Sequence, residues 1–449
     1  MPSKTSQCKK ALICLFAALA LSNGAAAQNS CPDLSPFYAG EGFVDWVQLE
    51  AGLAAIKLDC LQSSEFFALH GAAQLNSGRV DESLESLERA LLLDPSNGAA
   101  QIDYGQALFQ QGQVFMALEV NERLIERIDL PKELLPPLVE RQKVWKSMTR
   151  QKSFQLDALG GYDNNLNGAP SPDQIVLTLS GEAIPLALDS DFRPVNGPYL
   201  NLRGSGRFRS LAPNHQNNWA TELRARTSED SGSNIIQFTG RYSYVKPGND
   251  NSWQVNSGVS HLNFGGSGLF SGFDTSIRYQ TNSNLKCKPF YDFAMQYQYY
   301  HQQDFLNGLE SKVSAGLNCP LGESFSNQRF SVEAGLLNNQ ALRSARLGGD
   351  RQGWQIRADW QMPIGSGFLR AQANHIELDD RQGYSALIDN GAERELERSF
   401  LLIQYRRPLG ILGPNSSLLL NLYRQNQSSN IEFFRTDNTS AEIGLSWSF

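Results

Sequence analysis

"AEIGLSWSF", residues 441–449, alternates strictly: Ile443, Leu445, Trp447 and Phe449 share one face, and Glu442, Gly444, Ser446 and Ser448 share the other. Successive side chains of a β-strand point to opposite sides, so this stretch reads as a strand with one apolar and one polar face. A closed sheet pairs its last strand with its first and leaves no open edge. A final strand ending on an aromatic at the membrane–water boundary suits a transmembrane barrel. The other reading open at this point is the last strand of a soluble sandwich.

The two-residue period extends back to Ser153. Ile236, Phe238, Tyr242 and Tyr244 alternate with Gln237, Thr239, Arg241 and Ser243. Trp354, Ile356, Ala358 and Trp360 alternate with Gln355, Arg357, Asp359 and Gln361. Segments of this kind, parted by Gly, Asn, Asp, Ser and Pro turns, form the barrel pattern. About fourteen are expected, an even number as in single-chain bacterial barrels. They begin near Phe154, Tyr199, Trp219, Ile235, Trp253, Phe273, Pro289, Ser311, Phe330, Trp354, Phe368, Phe400, Ser417 and Ala441. Long connections are expected at 164–198, 339–353, 378–398 and 425–439, after odd strands, and short ones after even strands. Trp219, Trp253, Trp354, Trp360 and Trp447 fit an interfacial aromatic belt.

Before the strands the period changes to that of helices. Residues 44–147 carry apolar side chains at helical spacing. Gly71 and Gly105, Gly78 and Gly112, and Ser83 and Ala117 each stand 34 residues apart. That period, with small residues where helices touch, belongs to the tetratricopeptide repeat. The first repeat, 64–97, is well kept. The second, 98–131, puts Asn121 where the first has Leu87. Helices at 44–61 and 135–148 are expected to cap the stack. The expected fold class is therefore α+β multidomain: an N-terminal α-helical tetratricopeptide-type domain and a C-terminal transmembrane antiparallel β-barrel.

Length and composition agree. A chain of 449 residues exceeds one ordinary core. Its net charge of −7 argues against a general nucleic-acid binder. Lys4, Lys9 and Lys10, the apolar run 11–21 and Ala25-Ala26-Ala27 compose a cleavable signal peptide. The expected domains are 1–27 signal peptide, 28–150 periplasmic repeats and 151–449 outer-membrane barrel. Four of the 6 cysteines follow the cleavage site, and they sort by position into Cys31/Cys60 and Cys287/Cys319. An even number in an exported chain favours disulfides, and none has metal-site spacing.

Candidate lumen-lining residues are Arg203, Arg207, Arg209, Glu222, Arg224, Arg226 and Arg241, with Asp157 nearby. Fixed charges in a lumen attract counter-charged solutes; the same residues also serve as a salt-bridged lining. No catalytic residue, metal or cofactor is expected. None of the 5 histidines lies in HExxH, beside GxSxG or near a patterned carboxylate. Ser260-His261 and Asn374-His375 are adjacent pairs, whose side chains point to opposite faces of a strand.

Between the repeats and the second strand lies "LGGYDNNLNGAPSPDQI", residues 159–175. Its Asp and Asn residues are turn formers, and Gly168-Ala169-Pro170 ends strand pairing. Its signature residues are Gly161, Tyr162, Asp163, Asn165, Asn167 and Pro170. A first strand ending this way, behind tetratricopeptide repeats, resembles the surface lipoprotein assembly modifier family. The resemblance implies a fourteen-stranded outer-membrane barrel that exports client proteins, often lipoproteins or haem-related binding proteins, by type XI secretion. The expected partners are a client protein or its chaperone on the repeats, outer-membrane lipid and the barrel-insertion machinery, with no nucleic acid. An exopolysaccharide exporter and a simple porin are the alternatives. Whether the loop 164–198 plugs the lumen or stands outside is left open by the sequence.

Overall fold

The structure, a computed structural model, describes residues 31–38, 45–281, 286–321 and 328–449. The signal peptide expected at 1–27 lies outside these residues. The chain divides into two units between Gln142 and Lys143.

The first unit is helical. Its helices are α1 (Ser35–Tyr38), α2 (Trp46–Ile56), α3 (Ser64–Asn76), α4 (Val80–Leu93), α5 (Gly98–Gln110) and α6 (Val114–Ile125), followed by the start of α7 (Leu135–Met148). Asp45, Ser63 and Asn97 cap α2, α3 and α5 by accepting from backbone N–H groups. Each such cap contributes about 1 kcal/mol. Gly78 and Gly112 follow α3 and α5 at φ +80° and +84°, in the left-handed region that ends a helix on glycine. α3 and α4 touch at Gly71, where an added Cβ would stand 2.6 Å from Leu87 Cγ. That close approach is why the repeat keeps a small residue there.

Asn121 is not a flaw in the second repeat. It is fully buried, and its amide donates to Leu138 O (3.0 Å) and Gln142 Oε1 (2.8 Å) and accepts from Arg141 Nε (2.8 Å). The polar residue at the Leu87 position thus anchors α7. Cys31 and Cys60 form a disulfide across a separation of 29 residues. Closing a loop of that size stabilises by about 3.6 kcal/mol.

The second unit is one antiparallel sheet. Its strands are β1 (Arg150–Asp163), β2 (Gln174–Leu179), β3 (Glu182–Ala187), β4 (Gly197–Leu211), β5 (Gln216–Ser228), β6 (Ile235–Pro247), β7 (Asn251–Phe264) and β8 (Ser267–Thr281). They continue as β9 (Lys288–Tyr300), β10 (Gly308–Leu321), β11 (Gln328–Ala341), β12 (Arg351–Ile364), β13 (Gly367–Ser385), β14 (Ile388–Pro408), β15 (Ser416–Ser429) and β16 (Thr436–Ser448). All but β2 and β3 form a closed ring of 14 strands, because β1 pairs with both β4 and β16. At the seam Phe449 and Phe154 exchange backbone hydrogen bonds of 2.8 and 3.0 Å.

Alternation sets the two faces of the ring. Phe154, Leu156, Leu200, Leu202, Trp219, Leu223, Phe273, Val313, Leu336 and Ile443 all point outward and are exposed. Asp157, Arg203, Asn421 and Glu442 occupy the register positions between them and point inward. An apolar outer wall around a polar interior is the surface of an outer-membrane barrel. No described helix is long and apolar enough to cross a membrane. Cys287 and Cys319 are bridged at the foot of β9 and β10, beside the Lys288–Asn318 pair.

Two sequence expectations are corrected, and one question that the sequence leaves open is answered. The connection expected at 378–398 is mostly strand: β13 and β14 are 19 and 21 residues long and rise past their neighbours as a hairpin. The twelfth ring strand therefore begins at Ile388, not near Phe400. Its polar run, rich in Glu and Arg, hides the two-residue period. The connections after odd strands are not all long; β7 turns into β8 through Gly265-Gly266 alone. The loop 164–198 contains the β2–β3 hairpin, which pairs through Leu177 with Ile388 at the tip of the tall hairpin. β2 and β3 are mostly exposed beyond the barrel mouth and do not fill the lumen.

One titration in the helical unit is testable. Burial pushes the half-buried Asp103 carboxyl up to about 6, against the opposing pull of Arg141. A raised folded-state pKa gives stability that is complete below the ordinary carboxylate range and is lost as pH rises through 6. His70, buried with its pKa lowered by desolvation, acts in the opposite direction and favours the fold above its ordinary pKa. Asp103→Asn removes only the first effect. Followed by helical circular dichroism, its melting temperature should match wild type near pH 4 and exceed it by several degrees at pH 7.5; parallel curves would contradict the assignment.

Candidate functional site

The lumen wall is built where inward positions of neighbouring strands come into register. At the seam Asp157 is fully buried and accepts from Arg203 Nε at 2.7 Å. Glu442, 3 % exposed, accepts from Tyr199 Oη (3.0 Å) and Asn201 Nδ2 (2.7 Å) on one oxygen and Asn421 Nδ2 (2.8 Å) on the other. Tyr199 and Asn201 lie on β4 and Glu442 on β16, so these bonds cross over β1. Gly161 makes the crossing possible: a Cβ there would stand 2.6 Å from Tyr199 Cζ and 2.8 Å from Ala441 O.

The signature stretch after β1 forms a knot at the distal mouth, the end that β1 reaches at Asp163. Asp163 accepts from Asn165 N at 2.8 Å and from Arg226 Nη1 at 3.2 Å. Arg226 also donates to Leu166 O (2.7 Å) and Ser233 O (3.2 Å). Asn165, 1 % exposed, donates to Ala169 O and accepts from Ala169 N, each at 2.9 Å. Asn167 holds the returning segment through Arg193 O (2.8 Å) and Val195 N (3.1 Å). Tyr162 points outward and donates to Asn196 Oδ1 at 2.9 Å. Pro170, half-buried, closes the knot in non-strand backbone; the pairing of β1 has already ended at Asp163, ahead of Gly168-Ala169-Pro170.

The candidate lumen residues divide between sites. Arg203 and Arg226 pair with Asp157 and Asp163, and Arg224 donates to Asn201 Oδ1 at 3.2 Å beside them. Glu222 lies close enough to act on Arg203 electrostatically. Arg207 and Arg209 are exposed toward the opposite mouth, where Arg209 donates to Gln216 Oε1 at 2.6 Å. Arg241 belongs to a separate wall, 3.9 Å from Asp274.

That second wall encloses a polar cavity of about 440 Å³ lined by Arg241, Asp274, Arg278, Asp292, Lys312, Glu333 and Arg357 among others. Lys312 donates to Glu333 at 2.6 Å and Arg278 to Asp292 at 3.1 Å. Arg241 alone among these is a sequence candidate, although each of the others also occupies an inward position of its strand. Scattered charges among neutral inward residues give no sequence pattern; strand register is what brings them together.

A third group secures the tall hairpin. Asp380 accepts from Arg394 Nη2 at 2.8 Å and lies 3.3 Å from Arg351 Nε. The Arg394 guanidinium stands 4.4 Å from the Phe434 ring and 5.2 Å from that of Tyr384. Among the described residues, no group of three or more His, Cys, Asp or Glu is placed to hold a metal ion.

No family model and no curated protein matches the chain. Solved structures resemble its two units separately. The type III secretion translocator chaperone SycD of Yersinia enterocolitica is 19% identical over 23% of this chain and 73% of its own, with a TM-score of 0.22. The Sgt2 tetratricopeptide domain from Aspergillus fumigatus is 20% identical over 22% of this chain and 67% of its own, with a TM-score of 0.21. The anion-selective porin from Comamonas acidovorans is 9% identical over 67% of this chain and 99% of its own, with a TM-score of 0.36.

Three substitutions test these groups, two in the seam wall and one in the tall hairpin. Asp157→Asn removes the carboxylate facing Arg203 and should shift the reversal potential in planar bilayers toward anion selectivity, with Arg203→Ala shifting it the other way. Unchanged selectivity in both would remove Asp157 and Arg203 from the conducting path. Asp380→Ala leaves Arg394 buried without its carboxylate, a loss of the kind that costs about 3–5 kcal/mol. Proteolysis within residues 381–393 should become much faster while the barrel core stays resistant.

Proposed function

We propose that the chain is an outer-membrane translocation and assembly protein that brings client proteins to the cell surface, of the surface lipoprotein assembly modifier type. In this reading the helical repeats lie in the periplasm and receive the client or its chaperone, as stacked repeats commonly do. The barrel then gives the client passage or a surface on which to fold. No nucleotide motif is present, so client folding or handover supplies the driving force.

One observation carries the proposal. Beyond the distal mouth two hairpins, β2–β3 and β13–β14, present Val176, Leu179, Ile184, Leu186 and Leu387 exposed. β3 also lies at the end of the sheet order, with β2 on one side and, among the described residues, no strand on the other. Exposed apolar side chains beside a sheet end suit the reception of a folding protein better than the passage of small solutes. The signature knot supports the same reading by holding the base of β2–β3 in place.

A simple porin is the second reading, favoured by the charged, cavity-bearing lumen wall. Deleting α2–α6 separates the two. The export reading expects proteins displayed on wild-type cells to disappear from surface-shaving proteomics and collect in the periplasm, while the barrel still inserts. An unchanged surface proteome with solute conductance preserved would favour the porin.

A further inference from the structure

The outer wall at the distal mouth, where β7 turns into β8, holds a chain of hydrogen bonds that the transport reading does not use. Ser271 Oγ lies 2.8 Å from His261 Nδ1, and His261 Nε2 lies 3.0 Å from Asn263 Oδ1. His301 Nε2 approaches the same serine oxygen at 2.8 Å. These residues come from β7, β8 and the end of β9. Their closeness arises from strand register, His261 opposite Ser271, and not from sequence motif.

The protons in this chain can be assigned from the acceptors. An amide oxygen only accepts, so with Asn263 Oδ1 facing it, His261 carries its proton on Nε2. Its Nδ1 is then a bare acceptor, and Ser271 must donate to it. His301 Nε2 in turn donates to Ser271 Oγ. A hydroxyl donating to an imidazole whose far nitrogen is held by a third group is the arrangement of an activated nucleophile.

The surroundings suit such a role. Ser271 and His261 are part-exposed, and His301 is exposed. The β7–β8 pairing shifts register between Leu262 and Asn263, a bulge that re-aims side chains at this point. Gly268 borders the cluster, where an added Cβ would stand 3.4 Å from the His301 ring and 3.6 Å from Asn263 Oδ1. One step along the same outward face, Val259, Phe273 and Tyr297 are exposed and open the apolar band. The serine therefore sits where the wall passes from lipid tails to head groups, the level of a lipid's ester bonds.

We propose that Ser271, His261 and Asn263 form a serine esterase site on the lipid-facing wall, with membrane-lipid carboxylic esters as its substrate class. Ser271 Oγ attacks the ester carbonyl carbon as its proton passes to His261 Nδ1. The imidazolium returns that proton to the departing alkoxide, and the alcohol leaves. Water then attacks the acyl-serine carbonyl as His261 Nδ1 takes its proton; the carbonyl carbon–Oγ bond breaks, His261 returns the proton to Ser271 Oγ, and fatty acid departs. Asn263 is a positioning residue that holds the His261 ring and tautomer; His301 lowers the charge cost at the serine oxygen.

A built-in control exists. His375 Nδ1 lies 2.9 Å from Ser399 Oγ, but its Nε2 stands 3.6 Å from Glu377 and 3.8 Å from Glu397, beyond hydrogen-bond reach of either carboxylate. The test is labelling of the full-length protein, folded in detergent micelles, with a fluorophosphonate probe, followed by peptide mapping. Label is expected on Ser271, absent in Ser271→Ala and slowed about a hundredfold or more in His261→Ala. Asn263→Ala should slow labelling and shift its pH profile, and Asn263→Asp should restore the rate. Wild-type protein that takes no label, label on Ser399 instead, or labelling of Ser271 indifferent to His261→Ala would each overturn the proposal. Each variant's folding is checked by its electrophoretic mobility without heating. The outcome is independent of whether the chain exports clients.

Discussion

In a lipid environment no water is at hand for a backbone N–H or C=O, so a spanning sheet must pair every strand on both sides. Here that requirement converges on one seam, where β16 returns to β1. Backbone bonds from Phe154 to Phe449 begin the closure, and the Glu442 network, reaching over β1 to Tyr199 and Asn201, reinforces it from inside. Gly161 and Gly444 are small because the chains pass so closely. A Cβ at Gly444 would stand 2.0 Å from Ala158 O. Close approach at the seam, more than turn geometry, explains these two glycines.

The same closure organises the features that bear on function. Once β1 is fixed, its extension past Asp163 meets Arg226 from β5 and residues 437–439 from β16, and the signature loop folds into a compact knot. The knot sets where β2–β3 emerges, and the tip of β13–β14 receives it. The charged interior is divided into local pairs rather than spread evenly. Buried pairs of this kind add little net stability, since desolvation offsets much of the attraction, but breaking one is costly.

Much of this was legible in the sequence. Residues 441–449 and the segments before them announced alternation, and the glycine spacing of 34 announced the repeats. Cys31/Cys60 and Cys287/Cys319 pair as their positions suggested. What stayed hidden depends on register between distant strands. Ser271 and His261 are ten apart in sequence but opposite in the sheet; Glu442 and Tyr199 are joined across a third strand. The tall hairpin carries no apolar period, because its residues project into water on both faces. Asn121 looked like decay of a repeat because its partners on α7 lie outside the repeat itself.

The claim beneath all of this is that odd-numbered side chains from 441 to 447 face lipid while even-numbered ones face an enclosed aqueous interior. Nitroxide labels placed singly along this strand, in protein reconstituted into vesicles, report it directly. Collision with oxygen and with a water-soluble nickel chelate should alternate every residue and in opposite phase, oxygen high at the positions of Ile443, Leu445 and Trp447. Two accessibilities that rise and fall together, or no alternation at all, would contradict the barrel and the transport role built on it.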